Sequence, residues 1–327
     1  MKFSYLALFV LLLFFLRASS QQIMLYDLEE YNVSDSTTMM FVSLSDTYNA
    51  RNPGQFDSIK LNSENSYWLK SFKLTAPFRT RFLKATGVAE TDSLFLYSYT
   101  INAFLACCVK DLPVVACLNI YADERQPPEN GFPASDYMVG FKINKTLLAN
   151  FKQKIAGKLY YIGGLACIVK TNPFILGGLK PMVWKPIQQG LFPPDTIPAA
   201  DSALIAIWYK QLTYKYYQCT LNGLHFMAKD FEGNNQIAAR QIVAYNLKTG
   251  AKVFNRVTLQ TEGSSPTTLT LLNDTSTYQT REMWTGMLFK NKPPVIFWLA
   301  NLSFGCSGID FLTPTPSGVP VNCDNRH

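Results

Sequence analysis

A mainly β fold, with antiparallel sheets in a sandwich-like or multi-sheet arrangement and one or two short helices, is predicted by three features of this sequence. The 327 residues are 14% aromatic and only 16% charged, with 23 Phe and 17 Tyr, a composition that packs on pleated sheets better than it solvates helices. Short apolar or alternating runs bounded by Asn, Asp, Gly or Pro recur at 39–44, 94–101, 114–121, 137–143, 158–169 and 203–208. The segment 241–260 reads as a hairpin whose alternating arms flank Leu247-Lys-Thr-Gly250, with Gly250 at the left-handed position of a bulged turn.

Residues 1–20 read as a secretory signal. Lys2 supplies the charged start, 6–16 the apolar run, and Ala18 and Ser20 the small residues of a cleavage site before Gln21. The run covers about a dozen residues, whereas a helix crossing a bilayer needs about 20, so cleavage is expected rather than anchoring. The mature chain is therefore expected to be secreted and extracellular, with no transmembrane segment after cleavage. Losing Lys2 and Arg17 lowers the formal charge from +7 to +5, too slight a basic excess to imply nucleic acid.

After the signal and the 39–44 strand comes a basic and aromatic stretch, 68–84, which carries Lys70, Lys73, Arg79, Arg81 and Lys84 among Phe72, Phe78 and Phe82. Its second half predicts a short helix beginning at Pro77 and stopped by Gly87. Such a stretch can meet acidic polysaccharide, anionic lipid or an acidic partner, or it can pack its rings inward and leave its cations in water. The segment 106–117 reads as two apolar strands around a tight Asp111-Leu-Pro113 turn. A two-residue loop sets Cys108 opposite Cys117, and a three-residue loop sets Cys107 there. Residues 146–157 predict a helix with Leu147, Leu148, Phe151 and Ile155 on one side, Thr146 as cap and Gly157 as stop.

Five prolines between Pro181 and Asp201 break the strand pattern. The chain accordingly divides into a β-rich N-terminal domain at 21–185, a Pro-rich linker or crossover at 186–201 and a β-rich C-terminal domain at 202–327. The alternative is a single β domain over 21–327. Beyond the prolines, 208–217 is read as an aromatic and basic strand with Trp208, Lys210, Tyr214 and Tyr216 toward one side and Lys215 toward the other. Aromatic rings beside cations stack on sugar faces and pair with sulfate or carboxylate, so these five residues are candidate glycan or polyanion contacts.

Export gives meaning to two further residue types. Four sequons stand at Asn32, Asn144, Asn273 and Asn301, each a candidate N-glycosylation site. Asn301 is the least favoured, because a continuous strand through IFWLANLSF would place it on the face of Phe297 and Leu299. Seven cysteines, Cys107, Cys108, Cys117, Cys167, Cys219, Cys306 and Cys323, are disulfide candidates, and the odd number leaves one thiol free or shared with a second chain. Cys306 and Cys323 flank a Pro-rich stretch and would close a short loop worth about 3 kcal/mol.

Catalytic motifs fail on their own requirements. The chain holds no GxSxG, HExxH, GxxxxGK[ST] or GxGxxG, and its only histidines are His225 and His327. No cysteines stand in CxxC spacing, so neither a metal site nor a cofactor is expected. Gly305-Cys-Ser-Gly308 is slim but lacks the spacing of a nucleophile elbow. The expected function is a disulfide-containing, N-glycosylated extracellular protein with a binding or structural role, as in a matrix or coat, whose partner is an extracellular polysaccharide or matrix protein. The alternative is a secreted carbohydrate-active hydrolase drawing two carboxylates from Asp123, Glu124, Asp136, Asp195, Asp201, Asp230 and Glu232.

Overall fold

The computed structural model describes residues 23–34, 37–44, 69–119, 122, 129, 132, 136–155, 158–161, 163–194, 197, 199–208, 211–233, 236–272, 282–303 and 305–323. Within them the protein is mainly β, as the composition predicts, and its strands build four stacked layers. The segment 1–20, the sequon Asn273, and Lys210 lie outside the described residues.

Sheet I contains β1 (Leu25–Ser34), β2 (Thr37–Ser43), β3 (Ser71–Lys73), β6 (Val114–Leu118) and β7 (Tyr137–Ile143), ordered β1-β2-β7-β6-β3 and antiparallel throughout. Sheet II contains β4 (Ser93–Ser98), β5 (Ala103–Cys108) and β10 (Leu165–Val169), and it continues into the first residues of β1 through Leu25↔Cys167. Sheet III contains β11 (Leu179–Pro181), β18 (Trp284–Gly286), β19 (Val295–Phe297), β21 (Gly308–Phe311) and β22 (Gly318–Asn322). Its last strand, β22, runs parallel to β1, with Leu25↔Val321, and Asn322 Nδ2 donates to the Leu25 carbonyl at 2.9 Å. These 13 strands form one hydrogen-bonded network, a path through sheets III and I that changes layer along β1 and β22, with β10, β4 and β5 branching from β1.

Sheet IV is a separate antiparallel meander of β12 (Lys185–Ile187), β13 (Thr213–Leu221), β14 (Leu224–Gly233), β15 (Gln236–Asn246) and β16 (Lys252–Leu259). Two small pairs complete the described strands: β8 (Lys152–Ile155) with β9 (Lys158–Tyr161), and β17 (Ser264–Pro266) with β20 (Ala300–Leu302).

Alternation of side chains across each strand explains the stacking. In β4, Leu94 and Leu96 enter the core between sheets I and II, while Phe95 and Tyr97 enter the core between sheets II and III. In β10, Ala166 and Ile168 face the first core, and Leu165, Cys167 and Val169 the second. Sheet II is thus covered on both faces, and its strands read as unbroken apolar runs rather than alternating ones. Sheet III repeats the arrangement: Val295 and Phe297 face sheet II, and Ile296 faces Phe226, Ala228, Ile242 and Phe254 of sheet IV.

Helix α1 (Ala76–Thr86) lies where Pro77 and Gly87 predict it. Pro77 stands in the first turn, and Gly87 takes φ 68° as its left-handed terminator. The helix buries Phe78, Phe82 and Leu83 in the core between sheets I and II. The expected 241–260 hairpin is present as β15 and β16, with Gly250 at φ 67° donating its N–H to the Asn246 carbonyl at 2.8 Å.

Three local expectations are corrected. Strands β5 and β6 do not form a hairpin: a 3-10 turn at Val109–Asp111 carries the chain from sheet II into sheet I, where β6 pairs with β3 and β7. Long-range partners on both sides outweigh the local turn. Residues 145–150 are turns leading into the β8–β9 hairpin rather than a helix, because Asn144 Oδ1 accepts from the Thr146 N–H at 3.0 Å and starts an Asx turn. The run at 203–208 belongs to helix α2 (Ala199–Trp208), with Asp201 in its first turn, so Trp208 ends a helix instead of opening a strand.

Candidate anion-binding cleft

The outer face of sheet I carries Met39 and Phe41 of β2, Val115 and Cys117 of β6, and Met138 of β7 as a buried apolar patch. At one end of this face, β3 and the turns after β5 and β7 raise walls around a cleft of about 760 Å³. That volume falls within the range of small-molecule sites. Its floor is apolar, with Met39, Val115 and the exposed Leu147, while Phe72 at its edge turns its ring into the core beneath. Lys73, Lys142 and Lys145 line it, against a single carboxylate among the described lining residues, Asp111.

Pairing brings the three lysines together. Lys73 stands opposite Val115 on β6, which stands opposite Gly140 on β7; Lys142 is two residues further along β7, opposite Phe41. Its backbone N–H donates to the Pro113 carbonyl at 3.0 Å, fixing the turn to the strand. Lys145 follows in the Asx turn at Asn144 and lies 4.0 Å from Glu30. Ammonium groups on flexible stems over an apolar floor suit an anion that also presents a carbon skeleton.

The 68–84 stretch is divided between structure and site. Phe78 and Phe82 are core, and Phe72 stacks edge-on against Tyr137 with ring centroids 5.3 Å apart. Arg79 is committed to structure: it chelates Glu90 at 2.8 and 2.6 Å, donates to the Val109 carbonyl at 2.6 Å and also reaches the Leu112 carbonyl. The guanidinium holds the Glu90 carboxyl below its ordinary range. Only Lys73 of the five cations of this stretch lines the cleft. Lys142 and Lys145 were not among the residues singled out, because nothing in the sequence links them to Lys73 before the β3–β6–β7 order is known.

The 208–217 stretch divides as well. Tyr214 and Tyr216 occupy the outer face of sheet IV and flank the buried Lys229, whose ammonium lies 4.6 Å from the Tyr214 centroid and 6.0 Å from that of Tyr216. Tyr216 is buried beneath Phe192 from the Pro-rich segment, and Tyr214 stays half exposed. Lys215 points away from these rings and pairs with Glu232 at 2.9 Å, which raises its pKa. A cation already sits against the rings, so a sugar meets only the open part of Tyr214.

Among the sequons, Asn32 is exposed near the end of β1, and Asn144 is exposed on the rim of the lysine cleft. Asn301 is half-buried in β20 opposite Ser265, and the strand through it is interrupted at Trp298. Cys306 and Cys323 form a disulfide, while Cys107, Cys117, Cys167 and Cys219 are buried free thiols and Cys108 is an exposed one. Burial raises the thiol pKa of Cys107 and Cys219, and pushes that of Cys167 up to about 12.

The hydrolase alternative gains no support from geometry. Asp230 is buried and held by Arg240 at 2.5 and 2.7 Å, Glu232 is paired with Lys215, and Asp123, Glu124 and Asp195 lie outside the described residues. His225 contacts Thr220 Oγ1 at 3.1 Å on the face opposite Asp230. Among the described residues no cluster of His, Cys, Asp and Glu is arranged to hold a metal ion, and no helix is long and apolar enough to cross a membrane. Comparison of the chain with protein-family models, with characterised proteins and with solved structures returns no match, so the site must be read on its own chemistry.

Proposed function

We propose that this is a secreted, N-glycosylated extracellular binding protein that holds an acidic polysaccharide in the cleft of sheet I. The observation that carries the reading is the convergence of Lys73, Lys142 and Lys145 over an apolar floor, with Asp111 as the one carboxylate among the described lining residues and Glu30 beside Lys145 at the rim. Sulfate or uronate groups pair with the ammonium groups, and the sugar carbons lie on Met39, Val115 and Leu147. The signal-like segment 1–20, the sequons and the Cys306–Cys323 disulfide support export.

Retention of the secreted protein on immobilised heparin and polygalacturonate tests this. A Lys73→Ala/Lys142→Ala double variant should elute at clearly lower salt than the wild type. A charge-matched control, Lys248→Ala/Lys252→Ala on the β15–β16 hairpin, should elute with the wild type. Equal loss in both variants, or no retention of the wild type on either matrix, contradicts the assignment.

A further inference from the structure

We infer that a second cleft, between sheets III and IV, binds a neutral saccharide, with one sugar ring laid on the Trp298 indole and its hydroxyls shared between Arg256 and Asp310. The cleft measures about 530 Å³, room for one or two sugar rings. It is lined by Arg256 and Thr258 of β16, Ser264, Trp298, Ser307 and Asp310, with Leu302 and Pro320 among its apolar residues.

Trp298 is the first reason. It adopts φ 62°, and the other non-glycine residues with positive φ among those described are Asn102, Asn222 and Asn291. Asn tolerates that region, whereas a bulky aromatic there is a backbone outlier of the kind that collects at ligand sites. A Gly or Asn would turn the chain from β19 into β20 without strain, so the turn itself does not call for an indole. The ring is also held in place: Nε1 donates to the Tyr99 hydroxyl at 2.6 Å, and the Tyr99 ring packs edge-on against Trp284 and Phe297 at 5.1 and 5.0 Å. An aromatic platform fixed in this way binds a ring face at little entropic cost.

The charges are the second reason. Among the described residues, Arg256 and Asp310 are the only charged ones lining the cleft, and they neutralise one another at 2.9 Å. Arg256 reaches in from sheet IV and Asp310 from sheet III, so the pair bridges the two layers at the mouth. A planar guanidinium beside a carboxylate offers donors and acceptors together, as vicinal hydroxyls require, whereas an anion would have to displace Asp310. Burial raises the Asp310 pKa despite Arg256, in keeping with a partly dry pocket.

Titration of the intact protein with cellotriose, maltotriose, mannotriose and chitotriose, followed by tryptophan emission and calorimetry, tests the inference. At least one should bind, and both Trp298→Ala and Arg256→Ala should weaken it tenfold or more. Arg256→Ala removes a half-exposed side chain and keeps the test informative if Trp298→Ala fails to fold. The Lys73→Ala/Lys142→Ala variant should bind the same sugar as the wild type does. Binding by none of the four at millimolar concentration overturns the inference. So does binding indifferent to Arg256→Ala, binding lost in the lysine variant, or preference for an acidic oligosaccharide.

Discussion

At the scale of single residues, charge is used in two ways. Arg240 and Asp230 are buried between sheets III and IV, joined by two hydrogen bonds, and Arg240 also reaches the Thr267 carbonyl. Removing one partner leaves the other charged and dry, so Asp230→Ala should lower unfolding free energy by about 3–5 kcal/mol in urea titration. The thiols sort by burial in the same way. Alkylation of the native protein at pH 8 should modify Cys108 and spare Cys107, Cys117, Cys167 and Cys219, all five reacting in urea. Native labelling of Cys117 or Cys167, read by peptide mass spectrometry, would contradict the burial of the outer face of sheet I or of the core between sheets II and III. Little of this was legible beforehand: Arg240 and Asp230 are ten residues apart, and only the register of β14 on β15 makes them neighbours.

Elements form where local signals and long-range pairing agree. Helix α1 and the β15–β16 hairpin were legible because Pro77, Gly87 and Gly250 mark their ends. The 106–117 hairpin was misread because two apolar runs about a tight turn carry no record of which sheet each joins. Helix α2 was misread because Leu204-Ile-Ala-Ile207 is too short to separate helix from strand by periodicity. The turn between β5 and β6 has its own clamp in Arg79, which ties α1 to the Val109 and Leu112 carbonyls and to Glu90. Arg79→Ala should cost about 1–3 kcal/mol through loss of the charged donor to both carbonyls, of which Val109 keeps only the Leu112 N–H at 3.1 Å. It should also flatten the acid limb of stability. Since Arg79 lowers the folded-state pKa of Glu90 from 4.5, the increment it contributes is present above that value and lost as pH falls through the folded one. Equal stability profiles for variant and wild type between pH 2 and 6 would show that the clamp contributes nothing.

Over the whole molecule, four β layers share three cores, and the two inner layers are buried on both faces. The first and last described strands, β1 and β22, pair with each other, and both pass between layers. The β class was readable from composition and apolar runs, but the layer order was not, since it depends on pairings such as Leu25↔Val321. Both clefts lie where layers or walls meet, so each gathers residues distant in sequence: Lys73 with Lys142 and Lys145, and Arg256 with Asp310 and Trp298. The aromatic strand that stood out in the sequence instead holds Lys229.

The lysine cleft is the centre of the functional reading, and the ionic-strength dependence of affinity for a defined acidic oligosaccharide tests it most directly. Calorimetric titration of the secreted protein with a heparin hexasaccharide should give binding that weakens steeply as salt rises and ionic pairing is screened. The Lys73→Ala/Lys142→Ala variant should bind at least tenfold more weakly, with a shallower salt dependence. Affinity and salt dependence unchanged in that variant would contradict the account.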